Sequence, residues 1–218
     1  MIINVYQSFK YPIPEEIKNT NIKYLSSSDI KINYIFYDNN MIDDYMKKQT
    51  LEIQETYNRL KCWPHKIDLW RYLIVYETGG FYIDADVYLH MPINKSVYEK
   101  EYMFSYDYKH NNIFNGFFYS KPKNPIFLKM IEFMVNYKGE TIGKHFYHYN
   151  IDYLATILQD EINIEFINIT NCELINNNNK PIWIYYKRKD NDFFNENKEK
   201  FYCIRHPDYK VNKGYSKK

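Results

Sequence analysis

The chain has 218 residues, 45% of them hydrophobic, with 29 Lys and Arg against 27 Asp and Glu for a formal net charge of +2. Length and apolar content suffice for a buried core in one domain over 1–218, and they exclude a disordered or fibrous chain. The near balance of charge lacks the basic footprint of a nucleic-acid binder, so nucleic acid is not an expected partner.

The run 2–8 is short, apolar and rich in β-formers, and the turn residues Tyr11-Pro12-Ile13-Pro14 follow it. It reads as a first buried strand. Residues 15–19 look helical, Ser26-Ser27-Ser28-Asp29 makes a turn, and 32–37 form a second strand closed by Asp38-Asn39-Asn40. The apolar spacing over 41–60 predicts a helix, and Pro64 stands where a helix accepts its first residue. That next helix runs over 64–77, with Ile67, Trp70, Leu73 and Ile74 as its core face and Gly79-Gly80 as its end. Phe81-Tyr82-Ile83 is then a short strand leading into Asp84-Ala85-Asp86. Strands are expected over 102–106 and 114–119, helices over 124–137 and 145–160, and short strands over 164–169, 182–186 and 202–205. The β-turn-helix-β rhythm makes this an α/β chain.

Cys62, Cys172 and Cys203 are far apart and form no zinc-type cluster, which reads as reduced thiols and a reducing compartment. With no basic segment preceding a long apolar stretch at the start, and no window of apolar residues long enough to span a bilayer, a cytoplasmic location without a membrane span is expected.

Asp84 and Asp86 are two apart in an extended segment, so their carboxylates point to one side with Cα atoms about 6.5–7 Å apart. A kink as the chain leaves the strand lets both reach one Mg²⁺ or Mn²⁺, whose remaining ligands are phosphate oxygens. Such a cation acts as a Lewis acid on a departing diphosphate. Asp68 and Arg71 are three apart on the preceding helix and share a face distinct from that of Ile67, Trp70 and Ile74. They read either as a surface ion pair or as a pair that holds sugar hydroxyls and phosphates. Tyr82 alternates with the two aspartates, so it either lines the pocket or packs in the core.

The run Pro64-His65-Lys66-Ile67-Asp68-Leu69-Trp70-Arg71-Tyr72, followed by Tyr76-Glu77-Thr78-Gly79-Gly80-Phe81-Tyr82-Ile83-Asp84-Ala85-Asp86-Val87, resembles the DxD-containing sugar-binding region of glycosyltransferase family 32. That family includes mannosyltransferases and many capsular-polysaccharide enzymes. The same arrangement is similar to the catalytic domains of the large clostridial glucosylating toxins. Downstream, Asn115-Gly116-Phe117 resembles the family segment that lines the sugar and acceptor side. The resemblance implies a GT-A fold, a Rossmann-like α/β/α sandwich with a central mixed sheet and the nucleotide at the carboxyl ends of its strands. It further implies a metal-dependent retaining transferase that moves a hexosyl unit from a nucleotide-sugar to a glycan or other hydroxyl acceptor. A UDP-sugar is the first expectation for the donor and GDP-mannose the second.

Carried onto this chain, the family pattern makes Arg71, Asp68 and Asp86 catalytic. It makes Gln7, Phe9, Asp68, Arg71, Tyr82, Asp84, Ala85 and Asn115 donor-binding, Phe9 replacing the aromatic that lies near the base. The metal, Mn²⁺ or Mg²⁺, falls to Asp84 and Asp86, with His206 of Arg205-His206-Pro207 similar to a terminal histidine of several GT-A enzymes. A general base is not needed in a front-face retaining mechanism, and none is nominated. Two alternatives stay open. Asp-Ala-Asp-Val after an apolar strand is also similar to the first motif of haloacid dehalogenase-like phosphatases, where the first Asp is a nucleophile, although that motif normally falls on the first strand. The other is a degenerate carbohydrate-binding module.

Overall fold

A computed structural model describes residues 1–107, 112–138, 144–162, 182–184, 192–194 and 199–204. Its main sheet has six strands in the order β2-β1-β3-β6-β5-β7. The strands β1 (Ile2–Ser8), β2 (Lys31–Tyr37) and β3 (Gly80–Ile83) run parallel, with β1 between the other two. Strand β6 (Asn112–Ser120) is antiparallel to both β3 and β5 (Tyr102–Asp107), and β7 (Ile182–Ile184) adds parallel to β5. A separate small sheet joins β4 (Val87–Leu89), β9 (Lys200–Ile204) and β8 (Asp192–Phe194). The expected α/β class with a central mixed sheet is borne out.

Both faces of the main sheet are covered, and the strand period of two shows how. Tyr6, Tyr82, Phe104 and Phe118 belong to one buried cluster, whereas Val5, Phe81, Ile83, Phe117 and Tyr119 belong to another. The first cluster packs against α2 (Asn39–Met46), α4 (Trp63–Thr78), α5 (Pro125–Asn136) and α6 (Lys144–Ile162). The second packs against the end of α1 (Glu15–Leu25), β4 and the 3₁₀ turn Lys95–Glu99. Three layers result, as expected of the GT-A class.

The helical spacing over 41–60 resolves into two helices, α2 and α3 (Leu51–Arg59), because the chain breaks between them. Asp38 caps α2 by accepting from Met41 N at 2.9 Å, and Gln54 Nε2 donates to the freed carbonyls of Lys47 (3.1 Å) and Gln49 (2.7 Å). A side chain thus replaces the backbone bonds that a continuous helix would make. The helix expected over 15–19 extends to Leu25, and the other boundaries fall close to expectation. Pro64 lies in the first turn of α4, and Gly79 ends that helix with φ 65° while its N–H bonds Val75 O at 2.8 Å. At Gly80, with φ 109°, a Cβ would run into the Asn4 carbonyl, so glycine lets β3 lie directly beside β1. The expected strand 164–169 and residue His206 lie outside the described residues. Strands β4 and β8 are not expected from the sequence; three residues each carry too little pattern to register.

The chain connections place the crevice. From β1 the chain crosses to β2 on one side, then returns through α2, α3 and α4 to β3 on the other. Strand order therefore reverses at β1, and a crevice opens at the carboxyl ends of β1 and β3, where open α/β sheets bind ligands.

Candidate functional site

Strand β3 ends at Ile83, and the next residues form a turn in which Val87 N bonds Asp84 O at 3.0 Å. Asp84, Ala85 and Asp86 thus leave the sheet at the crevice, with both aspartates half-buried and Ala85 buried. The kink makes the turn, rather than strand alternation, responsible for where the two carboxylates stand. Three struts hold it. Asp84 N bonds Gly116 O on β6 at 2.7 Å, Gln7 Nε2 donates to Asp84 O at 3.1 Å, and Tyr34 OH donates to Gln7 Oε1 at 2.8 Å. Gln7 is fully buried with both ends of its amide used inside the protein, so it supports the turn from beneath.

The ion pair on α4 is not on the surface. Asp68 is 2% exposed and Arg71 6%, because α4 is buried on nearly every side between the sheet and α5. The face that the sequence separates from the apolar one is equally enclosed. Arg71 Nη2 lies 3.4 Å from Asp68 Oδ1 and 3.3 Å from Asp84 Oδ1, and Nη1 donates to Asn115 O at 2.7 Å. Its guanidinium also sits 4.2 Å from the centroid of the Tyr82 ring. Tyr82 OH in turn donates to Asp84 Oδ1 at 2.7 Å. Asn115 Nδ2 closes the set by donating to Asp68 Oδ1 at 3.0 Å. Asp68, Arg71, Tyr82, Asp84 and Asn115, from α4, β3 and β6, are therefore in one hydrogen-bonded cluster.

Burial opposes the Arg71 charge, but Tyr82, Asp84 and Asp68 outweigh it and hold the guanidinium above its ordinary range. A fixed positive charge results. Burial pushes the Tyr82 phenol well above its usual value, so it stays a proton donor to Asp84. Two polar atoms of this cluster, Asp68 Oδ2 and Arg71 Nε, are buried yet make no hydrogen bond among the described residues. One is an acceptor and the other a donor, and the acceptor lies 3.9 Å from the buried His65 Nδ1.

Phe9 and Ala85 lie in one small apolar cluster with Ile13, Ile17, Phe36 and Tyr88, beside the turn. Tyr82, by contrast, is 1% exposed and belongs to the core, touching the crevice only through its hydroxyl. Among the described residues, no three His, Cys, Asp or Glu side chains converge on a metal position. Asp84 and Asp86 bring two carboxylates to the turn, and hard oxygen donors of this kind suit Mg²⁺ or Mn²⁺ that bring further oxygen ligands with them. Sequence reasoning placed Gly116 in the segment that resembles the sugar and acceptor lining but gave it no role of its own, and it missed Tyr72 and Asn150, whose surroundings depend on which elements pack together. Gly116 stands directly after Asn115, but only the structure shows that Asp84 Oδ2 occupies the space a Cβ would need.

Residues 14–104 match the family described as glycosyltransferase sugar-binding region containing DXD motif. An uncharacterised glycosyltransferase of Acanthamoeba polyphaga mimivirus is 30% identical over 122 residues, which cover 53% of this chain and 47% of the relative. The chain thus spans about half the length of that curated relative. Among solved structures, the PaToxG glycosyltransferase aligns over 73% of this chain and 68% of its own, at 14% identity and a TM-score of 0.44. The two sequence matches support a glycosyltransferase. Asp68, Arg71, Asp84 and Asp86 all fall inside the matched region, whereas Gln7, Phe9 and Asn115 lie outside it. No helix among the described residues is long and apolar enough to cross a membrane.

Proposed function

We propose that this chain is a metal-dependent, retaining glycosyltransferase of the family 32 type, which transfers a hexosyl unit from a nucleotide-sugar to a hydroxyl acceptor. The observation that carries the reading is the junction of the DxD turn with the buried Asp68–Arg71 pair at the crevice between β1 and β3. A UDP-hexose is the first donor to test and GDP-mannose the second; a glycan fits as acceptor, in polysaccharide synthesis.

Each group has a role that its surroundings favour. Phe9 and the apolar cluster around Ala85 offer a flat surface for the nucleoside base. Asp68 Oδ2, a buried acceptor, and Asn115 orient hydroxyls of the transferred sugar. Arg71 keeps a permanent positive charge next to the turn, where it stabilises the negative charge that develops on the leaving diphosphate. Asp84 and Asp86 would hold a divalent cation, which would supply Lewis-acid neutralisation of that diphosphate. Asp84 Oδ1 is already engaged by Tyr82 and Arg71, so Asp84 would contribute through Oδ2, beside Asp86. The bond from the anomeric carbon to the phosphate oxygen breaks as the bond to the acceptor oxygen forms on the same face. The acceptor proton passes to the departing phosphate oxygen, so no side-chain base is required.

A phosphatase would need Asp84 free as a nucleophile, and the bonds from Tyr82 and Arg71 oppose that. Isothermal titration with UDP, GDP and their sugar conjugates, with and without Mn²⁺, tests the reading. Metal-dependent binding of one nucleotide that disappears in the Asp84→Ala, Asp86→Ala double variant is expected. Binding of no nucleotide, or binding indifferent to metal and to the substitutions, would overturn it.

A further inference from the structure

Asn115 joins the parts of the site, yet its side chain is also held from outside. Its Nδ2 is shared between Asp68 Oδ1 at 3.0 Å and Tyr72 OH at 3.2 Å. Tyr72, on α4, is fully buried, and its hydroxyl lies 3.5 Å from Nδ2 of Asn150 on α6. Asn150 is 0% exposed and its Oδ1 makes no hydrogen bond among the described residues. Donor counting then gives a definite arrangement. If both amide nitrogens point at the Tyr72 oxygen, the phenolic proton lacks an acceptor and Asn150 Oδ1 lacks a donor. Exchanging the O and N of the Asn150 amide pairs these two, because Tyr72 then donates to Asn150 Oδ1 while accepting from Asn115. Burial, followed by the Asp68 charge, pushes the Tyr72 phenol above its ordinary value and keeps that proton in place.

We propose that Tyr72 and Asn150 are positioning residues: a hydrogen-bond relay from Asn150 through Tyr72 to Asn115 fixes the Asn115 amide against Asp68. The relay links α6 to the crevice, although Asn115 and Asn150 both lie beyond the region that matches the glycosyltransferase family. Polarisation along the chain strengthens the Asn115 bond beyond what an isolated pair would give. The importance of the relay rests on the reading of Asp68 and Asn115 as sugar-side groups. Its existence does not, and the test uses no nucleotide, so the two can fail separately.

Tyr72→Phe removes one oxygen and keeps the ring contacts with Phe118 and Phe127. In the full ¹⁵N-labelled chain without ligand, the side-chain amide protons of Asn115 should exchange with solvent about fivefold faster in this variant, the factor that a typical net hydrogen bond corresponds to. Far-UV circular dichroism should remain that of the parent. Asn150→Leu keeps the volume without an acceptor and should raise the rate by a smaller factor, whereas Asn150→Asp restores an acceptor and should return the parent rate. Unchanged Asn115 exchange in Tyr72→Phe overturns the relay, and so does equal exchange in the Leu and Asp variants. If Tyr72→Phe does not fold, the comparison of the two Asn150 variants decides alone.

Discussion

Arg71 Nη2 stands 3.3 Å from Asp84 Oδ1 and 3.4 Å from Asp68 Oδ1, so one guanidinium holds the turn aspartate and the helix aspartate in a single frame. Removing it leaves two carboxylates facing each other in a poorly solvated space. Arg71→Ala should cost about 3–5 kcal/mol of stability, the usual cost of breaking a buried pair. Arg71→Lys keeps the charge but cannot span both carboxylates and the Asn115 carbonyl together. It should fold with a smaller loss and still fail to bind a nucleotide with metal. Urea unfolding beside calorimetric titration measures both, and an Arg71→Ala protein as stable as the parent would show that the pair carries no weight.

The two aspartates of the turn should separate on substitution. Asp86 is half-buried and Asp86→Asn keeps its shape and a hydrogen-bonding group, so it should change stability by less than about 1 kcal/mol while abolishing metal-dependent nucleotide binding. Asp84→Asn keeps an acceptor for Tyr82 but removes the charge facing Arg71, and should cost about 1–3 kcal/mol in addition. Equal stability losses at both positions in thermal unfolding would contradict the division of roles.

Gly116 tests how closely β6 must approach the turn. A Cβ there would meet Asp84 Oδ2 and the Phe114 ring, and the carboxylate is the group able to move away. Gly116→Ala should therefore cost only about 1–3 kcal/mol, the range for overpacking, yet displace the Asp84 carboxylate and remove metal-dependent binding. A variant that binds Mn²⁺ and nucleotide like the parent would mean that the position of Oδ2 is unimportant.

Much of this site is legible in the sequence, and the reasons are local. Pro64 and Gly79-Gly80 bracket α4, and the four-residue strand after it can only deliver Asp84 and Asp86 to its carboxyl end. Asp68 and Arg71 share a helix face by spacing alone. Whether that face is wet or dry is a tertiary matter, and the sequence pattern, with apolar residues on the opposite side, points equally to a surface pair. The enclosure comes from β6 of the sheet and from α5, which lie 40 or more residues downstream. Asn150 carries no sequence signal, because a helix asparagine reads as a solvent-facing residue until its neighbours are known. The break between α2 and α3 is hidden for a similar reason: it is stabilised by the Gln54 side chain rather than by Gly or Pro.

The tyrosine-rich interior makes the fold vulnerable to alkali. Tyr6, Tyr57, Tyr72, Tyr82, Tyr98 and Tyr119 are all buried, and burial is the leading cause that raises each phenol above the ordinary value of 10.0. In the unfolded chain these phenols ionise near pH 10, whereas in the folded chain they keep their protons to higher pH. Above pH 10 the unfolded state therefore binds fewer protons than the native state, and stability falls as pH rises. Each such phenol contributes about 1.4 kcal/mol per pH unit until its folded value is reached, so Tyr57, Tyr72, Tyr82 and Tyr98, the four of these raised furthest, together match an ordinary domain's total stability within about one to two units. Below pH 9 none of this stability is lost. Urea midpoints should be flat on the neutral side of pH 9 and collapse by about pH 11, with tyrosinate absorbance rising in step with the loss of circular dichroism. Tyrosinate forming at pH 10 in a chain that stays folded would show that these rings are accessible to hydroxide, contrary to their packing in the two core clusters.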